Sequence, residues 1–328
     1  MKNDKIFRKI VQIVKNDNLE VTHNSTLILI GSCFSNEIGK RLKYTGFSTF
    51  QPFGTIFNPI TIADNLLRIL NKKYFTDEDL VKVNNVFFSW SHSSKNYHNI
   101  NSAELMFDLN NEIDTLNYSF TKNTILLLTF GTSIVYELNN QVVGNCHKQP
   151  QNYFKKRRLS VEEVVLRWKD VINKCKNQTF IFTVSPVRHY KDGTIENSRS
   201  KAVLILAIDK LLKLYPNQVF YFPSYEIVMD ELRDYRFYNS DMIHPNNDSV
   251  DYIWEKFQET YFNTKTIDIV NSCEKIRKSL NHKPFFNDGV EYQSFAKKLK
   301  NKIDLISIET PLYDWSKELN ELDKELLP

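Results

Sequence analysis

Two short segments of the 328-residue chain bring together side chains able to do chemistry. Near the N-terminus, Gly31-Ser32-Cys33-Phe34-Ser35 offers a hydroxyl and a thiol directly after an apolar run. At a turn from strand into helix, a nucleophile gains the partial positive charge of the helix N-terminus and free amides that can bind an oxyanion. The same field favours the thiolate of Cys33. Far downstream, Asp241-Met242-Ile243-His244-Pro245 puts a carboxylate three residues before an imidazole. One short loop can then present both groups. The carboxylate orients the ring and stabilises its protonated form, while the other ring nitrogen takes a nucleophile's proton. Taken singly, a Ser cap beside a buried Cys and a helix-capping loop account for the two segments equally well.

Elements that could position these segments are legible on either side of them. Thr26 to Ile30, Thr124 to Phe130 and Thr179 to Val184 are short runs rich in β-branched or aromatic residues, each closed by a turn signal. They read as buried parallel strands, with a fourth from Gln218 to Phe222. Helical periodicity fills the gaps at Asn36 to Lys43, Ile60 to Leu70, Ser198 to Leu214 and Asp248 to Tyr261. Another helix, Ser160 to Lys174, opens with the capping box Ser-Val-Glu-Glu. Strand and helix in alternation predict an α/β fold: a three-layer α/β/α sandwich on a mainly parallel, doubly wound sheet, with its site beyond the carboxyl ends of the strands. Gly31 and Gly131 end two of the strands, and Gly54 sits in the loop Phe53-Gly54-Thr55. Glycine there permits a tight turn and close backbone approach to a ligand, or is a simple turn residue. Residues 75–120 break the rhythm and read as an insertion or lid carrying Trp90, His92 and His98. The chain divides into a domain over 1–262 and a charged helical C-terminal extension over 263–328.

Composition narrows the function. The balance of 43 basic and 39 acidic residues leaves a net charge of +4, which argues against a nucleic-acid binder. The one basic run, Lys155 to Arg158, reads as a solvated helix approach or a contact for an anionic substrate. No segment approaches the ~18 apolar residues of a membrane span, and Met1 to Asn18 lacks the apolar core of a secretory signal. Four scattered cysteines, Cys33, Cys146, Cys175 and Cys273, show no paired metal spacing and suit a reducing cytoplasm. Cys33, Cys146, His147 and His244 are the set that could converge on zinc, but only Cys146 and His147 are close in sequence, and adjacent ligands are geometrically awkward. Neither metal nor cofactor is expected.

A resemblance sharpens these readings. Ile30-Gly31-Ser32-Cys33-Phe34-Ser35 resembles the signature of the GSCFA family, which belongs with the SGNH/GDSL hydrolase-like folds. Phe53 to Pro59, Gly144-Asn145-Cys146-His147-Lys148, Ser185 to His189, Arg233 to Tyr238 and His282-Lys283-Pro284-Phe285 are similar to segments of the same family. Asp241 to Pro245 is similar to the closing Asp-x-x-His block of SGNH enzymes. The resemblance implies a flavodoxin-like sheet and an acyl-ester hydrolase or O-acyltransferase acting on a small-molecule or carbohydrate ester. Carried over by position, Cys33 takes the nucleophile's place and Ser32 stands where the SGNH pattern has Asp; Ser32 is the alternative nucleophile. His244 becomes general base and then acid, and Asp241 its orienting carboxylate. Gly54 corresponds to the second oxyanion donor. The third, an Asn, does not follow Gly131, where Thr132 and Ser133 stand, so Asn145 is the substitute. Thr132, His147 and His189 are candidate oxyanion or substrate contacts, with the two histidines alternatively secondary acid/base groups. The substituted nucleophile turn and the missing Asn keep open a second reading, a non-catalytic binding or assembly protein on the same fold.

Overall fold

A computed structural model describes residues 10–13, 15, 19–121, 123–281 and 290–326. The family-like segment His282 to Phe285 lies outside the described residues. Five strands make the central sheet: β1 (Thr26–Gly31), β2 (Ser48–Phe50), β3 (Thr124–Phe130), β4 (Thr179–Val184) and β5 (Val219–Tyr221). Their order is β2-β1-β3-β4-β5, every pairing is parallel, and the register runs Thr26 against Thr124 and Thr179 against Ile125. This is the doubly wound arrangement expected, with the chain reversing its direction of winding between β1 and β3.

The strands are apolar throughout because both faces are covered. Ile28, Ile30, Leu126, Leu128, Phe180 and Phe182 point into one core with α2 (Pro59–Leu70), α3 (Ser102–Ser119), α4 (Val161–Lys174) and α5 (Thr194–Leu214). The alternate residues Leu27, Leu29, Ile125, Leu127 and Ile181 point into a second core with α1 (Cys33–Tyr44) and α6 (Asn247–Tyr261). Trp168, fully buried on α4, donates its indole N–H to the carbonyl of Pro59 at 3.1 Å and so ties α4 to the start of α2. The capping box at Ser160 and Glu163 is formed.

Between α2 and β3, residues 80–99 fold as a small antiparallel sheet (Leu80–Val83, Val86–Ser89, His98–Asn99). The following α3 buries Leu105, Leu109, Ile113 and Leu116 in the main core. The basic run is a strand, Lys155–Arg158, paired antiparallel with Ile134–Leu138, and not a helix approach. Acidic partners hold it there: Lys156 meets Asp192, Arg157 meets Glu137 and Glu163, and Arg158 meets Glu196. Those pairings occupy three of the run's four charges, and Lys155 forms no ion pair among the described residues. Helices α7 (Thr264–Asn281), α8 (Val290–Glu309) and α9 (Ser316–Leu326) gather their own core around Cys273, Leu299, Ile303 and Trp315. No helix among the described residues is long and apolar enough to cross a membrane.

Candidate functional site

The turn after β1 is built by close approach. Gly31 adopts φ +147°, and a Cβ there would stand 2.2 Å from the carbonyl oxygen of Thr129, so only glycine lets β1 end this tightly against β3. Ser32 follows as the N-cap of α1, its amide donating to Thr129 O at 3.2 Å. Its side chain caps nothing. Ser32 is 2% exposed, and among the described residues its buried Oγ has no hydrogen-bond partner. Cys33, the first residue of α1, is partly exposed. Of the two nucleophile candidates, only Cys33 keeps part of its surface open to solvent. The expected thiolate is not favoured, however. Desolvation raises the Cys33 pKa, and Glu37 raises it further, outweighing the lowering by its own backbone amide. The helix field loses to burial, and the resting group is a thiol.

The downstream loop is folded by its own carboxylate. Asp241 Oδ1 accepts from the amides of Ile243 at 2.8 Å and His244 at 3.0 Å, while Oδ2 stands 2.7 Å from His244 Nδ1. These amide bonds, followed by the imidazole, hold the Asp241 carboxyl down at about 2. Met242 takes φ +57° to close the turn, and Asn239 N–H donates to His244 O at 2.8 Å. Asn246 then caps α6 by accepting from Ser249 N–H at 3.1 Å. His244 keeps 42% of its side chain exposed, and among the described residues its Nε2 has no partner. Arg41 on α1 donates to Asp251 on α6 at 3.1 Å, which sets the two helices side by side in one layer. Val21, just ahead of β1, donates its amide to Tyr261 O at 2.9 Å, so α6 ends at the amino edge of the sheet and begins, like α1, at its carboxyl edge, where Cys33 and His244 both stand. Among the described residues no hydrogen bond joins Ser32 or Cys33 to His244.

His189, beyond β4, belongs to the same edge. Burial, the charge of Lys201 and that of His244 push its pKa down to about 4, with Asp192 opposing. Its ring meets Phe57 edge-on at 5.4 Å between centroids. Gly54 also comes close. The left-handed pair Phe53 (φ +68°) and Gly54 (φ +67°) delivers Thr55 to a parallel bridge with Gly31, and Ile56 N–H donates to Gly31 O at 3.0 Å. The Tyr97 phenol secures that turn by accepting from Phe53 N–H at 2.7 Å and donating to Glu112 at 2.7 Å.

Three other candidates are committed elsewhere. Asn145 donates to Ser94 Oγ at 3.2 Å and accepts from His147 N–H at 2.8 Å, so its amide shapes its own turn. His147 is buried, with Nδ1 3.0 Å from Ser94 Oγ, Nε2 2.8 Å from Ser89 O, and its ring stacked on Phe88. Neither nitrogen is free for a substrate. Thr132 Oγ1 lies 3.0 Å from Ser200 Oγ and accepts from Ile134 N–H, and its amide donates to Phe57 O. Among the described residues no three His, Cys, Asp or Glu side chains group as metal ligands.

One buried group at this edge escaped the sequence reading. Lys201 on α5 is 1% exposed and donates to Gly131 O and Ser185 O, each at 2.6 Å, linking the chain just beyond β3 and β4. Desolvation lowers its pKa to about 7. Its signal was available: Lys201 falls in the stripe Asn197, Lys201, Leu204, Ile208 and Leu211 that α5 buries.

No curated protein matches the chain. The model of the GSCFA domain protein C-terminal domain matches residues 273–328, the region of the helical extension. With the GSCFA family model matching residues 26–257, a span that contains the Gly31–Cys33 turn, Gly54, His189 and the Asp241–His244 loop, the chain belongs to the GSCFA family.

Proposed function

We propose that this protein is an SGNH-type acyl-ester hydrolase or O-acyltransferase with Cys33 as nucleophile, His244 as general base then acid, and Asp241 as the carboxylate that orients it. The observation carrying the reading is the 2.7 Å contact between Asp241 Oδ2 and His244 Nδ1. An ionised Asp241 keeps the proton on Nδ1 and leaves the Nε2 lone pair facing outward. Cys33 rests as a thiol, so attack requires proton transfer to His244 Nε2 as the sulfur–carbon bond forms. The proton then passes to the departing alcohol oxygen as the carbon–oxygen bond breaks. Water, or a second hydroxyl in the transferase, releases the acyl group from the thioester with His244 as base. The thiol and the imidazole close on each other when substrate arrives, as catalytic contacts commonly tighten only in the complex. The Cys33 amide at the helix N-terminus and the Gly54 amide are the oxyanion donors of this reading. The four free cysteines favour a reducing, cytoplasmic setting, which would keep the nucleophile unoxidised.

Steady-state assays on a panel of short acyl esters test it. Wild type and Ser32→Ala turn over; Cys33→Ala and His244→Ala fall by at least about a thousandfold in kcat. Absence of turnover by wild type across the panel, with ligand binding unchanged in all the variants, would sink the enzyme reading in favour of a binding or assembly protein.

A further inference from the structure

We infer that the molecule held at this edge carries a carboxylate or phosphate on a hydroxylated ring, and that Arg188 is the residue that selects it; this rests on the acyl-transfer reading above for what happens next. Arg188 follows β4, directly before His189, and is exposed. Several other surface arginines meet a carboxylate: Arg157 pairs with Glu137, and Arg158 and Arg199 share Glu196. Among the described residues Arg188 meets no carboxylate. Its neighbours are phenols, with Tyr190, Tyr238 and Tyr225 within electrostatic reach, and its Nη2 lies 3.3 Å from Met229 Sδ. Lys191, on the same loop, forms no ion pair among the described residues and acts on the Cys146 thiol.

The loop lies within electrostatic reach of the candidate catalytic residues and of Tyr238. His189 feels the charge of His244, and Tyr238 forms an antiparallel bridge with Pro245, the residue after His244. On the loop itself and on the His244 turn, Asp192 is spent on Lys156 and Asp241 on His244. An unpaired planar guanidinium binds carboxylate or phosphate with two parallel hydrogen bonds. The flanking tyrosines offer ring faces and hydroxyls suited to a sugar.

Titration calorimetry on the full chain tests this without requiring turnover. The probes are glucuronate, glucose 6-phosphate, inorganic phosphate and neutral glucose, each against wild type, Arg188→Gln, Arg188→Lys and a control cation, Arg199→Gln. The expected result is measurable affinity for at least one of the two anionic sugars and a weakening of about 10- to 100-fold in Arg188→Gln, the range for one charge-assisted pair. Arg188→Lys recovers part of the loss and Arg199→Gln changes nothing. The sugar that binds identifies the anion as carboxylate or phosphate. Glucose binding as tightly as the anions, phosphate alone binding, unchanged affinity in Arg188→Gln, or no affinity of wild type for either anionic sugar at millimolar concentration would each overturn the assignment. Ester turnover by wild type without affinity for either anionic sugar would overturn this assignment and leave the acyl-transfer reading standing, whereas Arg188-dependent sugar binding without turnover would do the reverse.

Discussion

The ammonium of Lys201 stands 2.6 Å from the carbonyl oxygen of Gly131 and stitches the end of β3 to that of β4 through Ser185. A buried cation facing only carbonyl dipoles loses its hydration without gaining a counter-ion. The folded group titrates near about 7 against 10.5 in the unfolded chain, so between these values the unfolded state binds more protons. Stability must therefore rise with pH from about 7 towards 10.5, and the penalty is complete below 7. The slope for one proton is ~1.4 kcal/mol per pH unit. Denaturant midpoints of wild type and Lys201→Met at pH 7 and pH 9 read this directly. Parallel curves would show that Lys201 does not titrate there.

The sealed hydroxyl of Ser32 leads to a second expectation. Its buried Oγ has no partner among the described residues, a cost of about 1–3 kcal/mol for an unpaired polar group. Ser32→Ala should therefore leave stability unchanged or raised, measured as the thermal midpoint. A clear loss of stability would mean that the hydroxyl has a partner and would reopen Ser32 as the nucleophile.

Gly31 and Gly193 make a controlled pair. Both have positive φ, +147° and +83°, but a Cβ at Gly31 meets Thr129 O at 2.2 Å whereas one at Gly193 meets nothing within 4 Å. Gly193→Ala should cost about 1 kcal/mol, the backbone strain alone. Gly31→Ala should cost several times more or abolish soluble expression, because β1 cannot retreat from β3 without breaking a parallel ladder in both cores. Equal effects at the two sites, read as soluble yield and denaturant midpoint, would contradict the close approach.

How far the sequence reveals all this depends on where each residue's partners lie. Strands β1, β3 and β4 are legible because burial on both faces leaves an unbroken apolar run. Ser48–Phe50 is not, being three residues long and only partly buried. Lys155–Arg158 carries no apolar alternation; its strand character comes from pairing with Ile134–Leu138 and from carboxylates of β-sheet and helix neighbours. The Asp241–His244 contact is local and could be read from spacing. Asn145 and His147 depend on Ser89 and Ser94, more than 50 residues away, so their structural commitments could not. The choice between Ser32 and Cys33 turns on burial, which adjacent residues of similar polarity do not announce.

Asp241 does two jobs that one substitution can separate. Its Oδ1 holds the Ile243 and His244 amides, and its Oδ2 holds the imidazole. Asn at this position keeps a carbonyl oxygen for the amides, so the loop should stay folded. Its amide nitrogen, however, donates where the carboxylate accepted, forcing Nδ1 to accept and moving the ring proton to Nε2. That is the tautomer unable to take a proton from Cys33, and it loses the stabilised imidazolium as well. Asp241→Asn should thus lower kcat by about 10⁴-fold with little change in KM, by analogy with other carboxylate–imidazole pairs. Asp241→Ala should add a fall in thermal midpoint, because both amides lose their acceptor. Since the wild-type carboxyl is held near about 2, activity should show no acid limb from Asp241 in the mildly acidic range. An Asn variant with undiminished kcat would remove Asp241 from the mechanism and leave its contact with His244 as a loop device only.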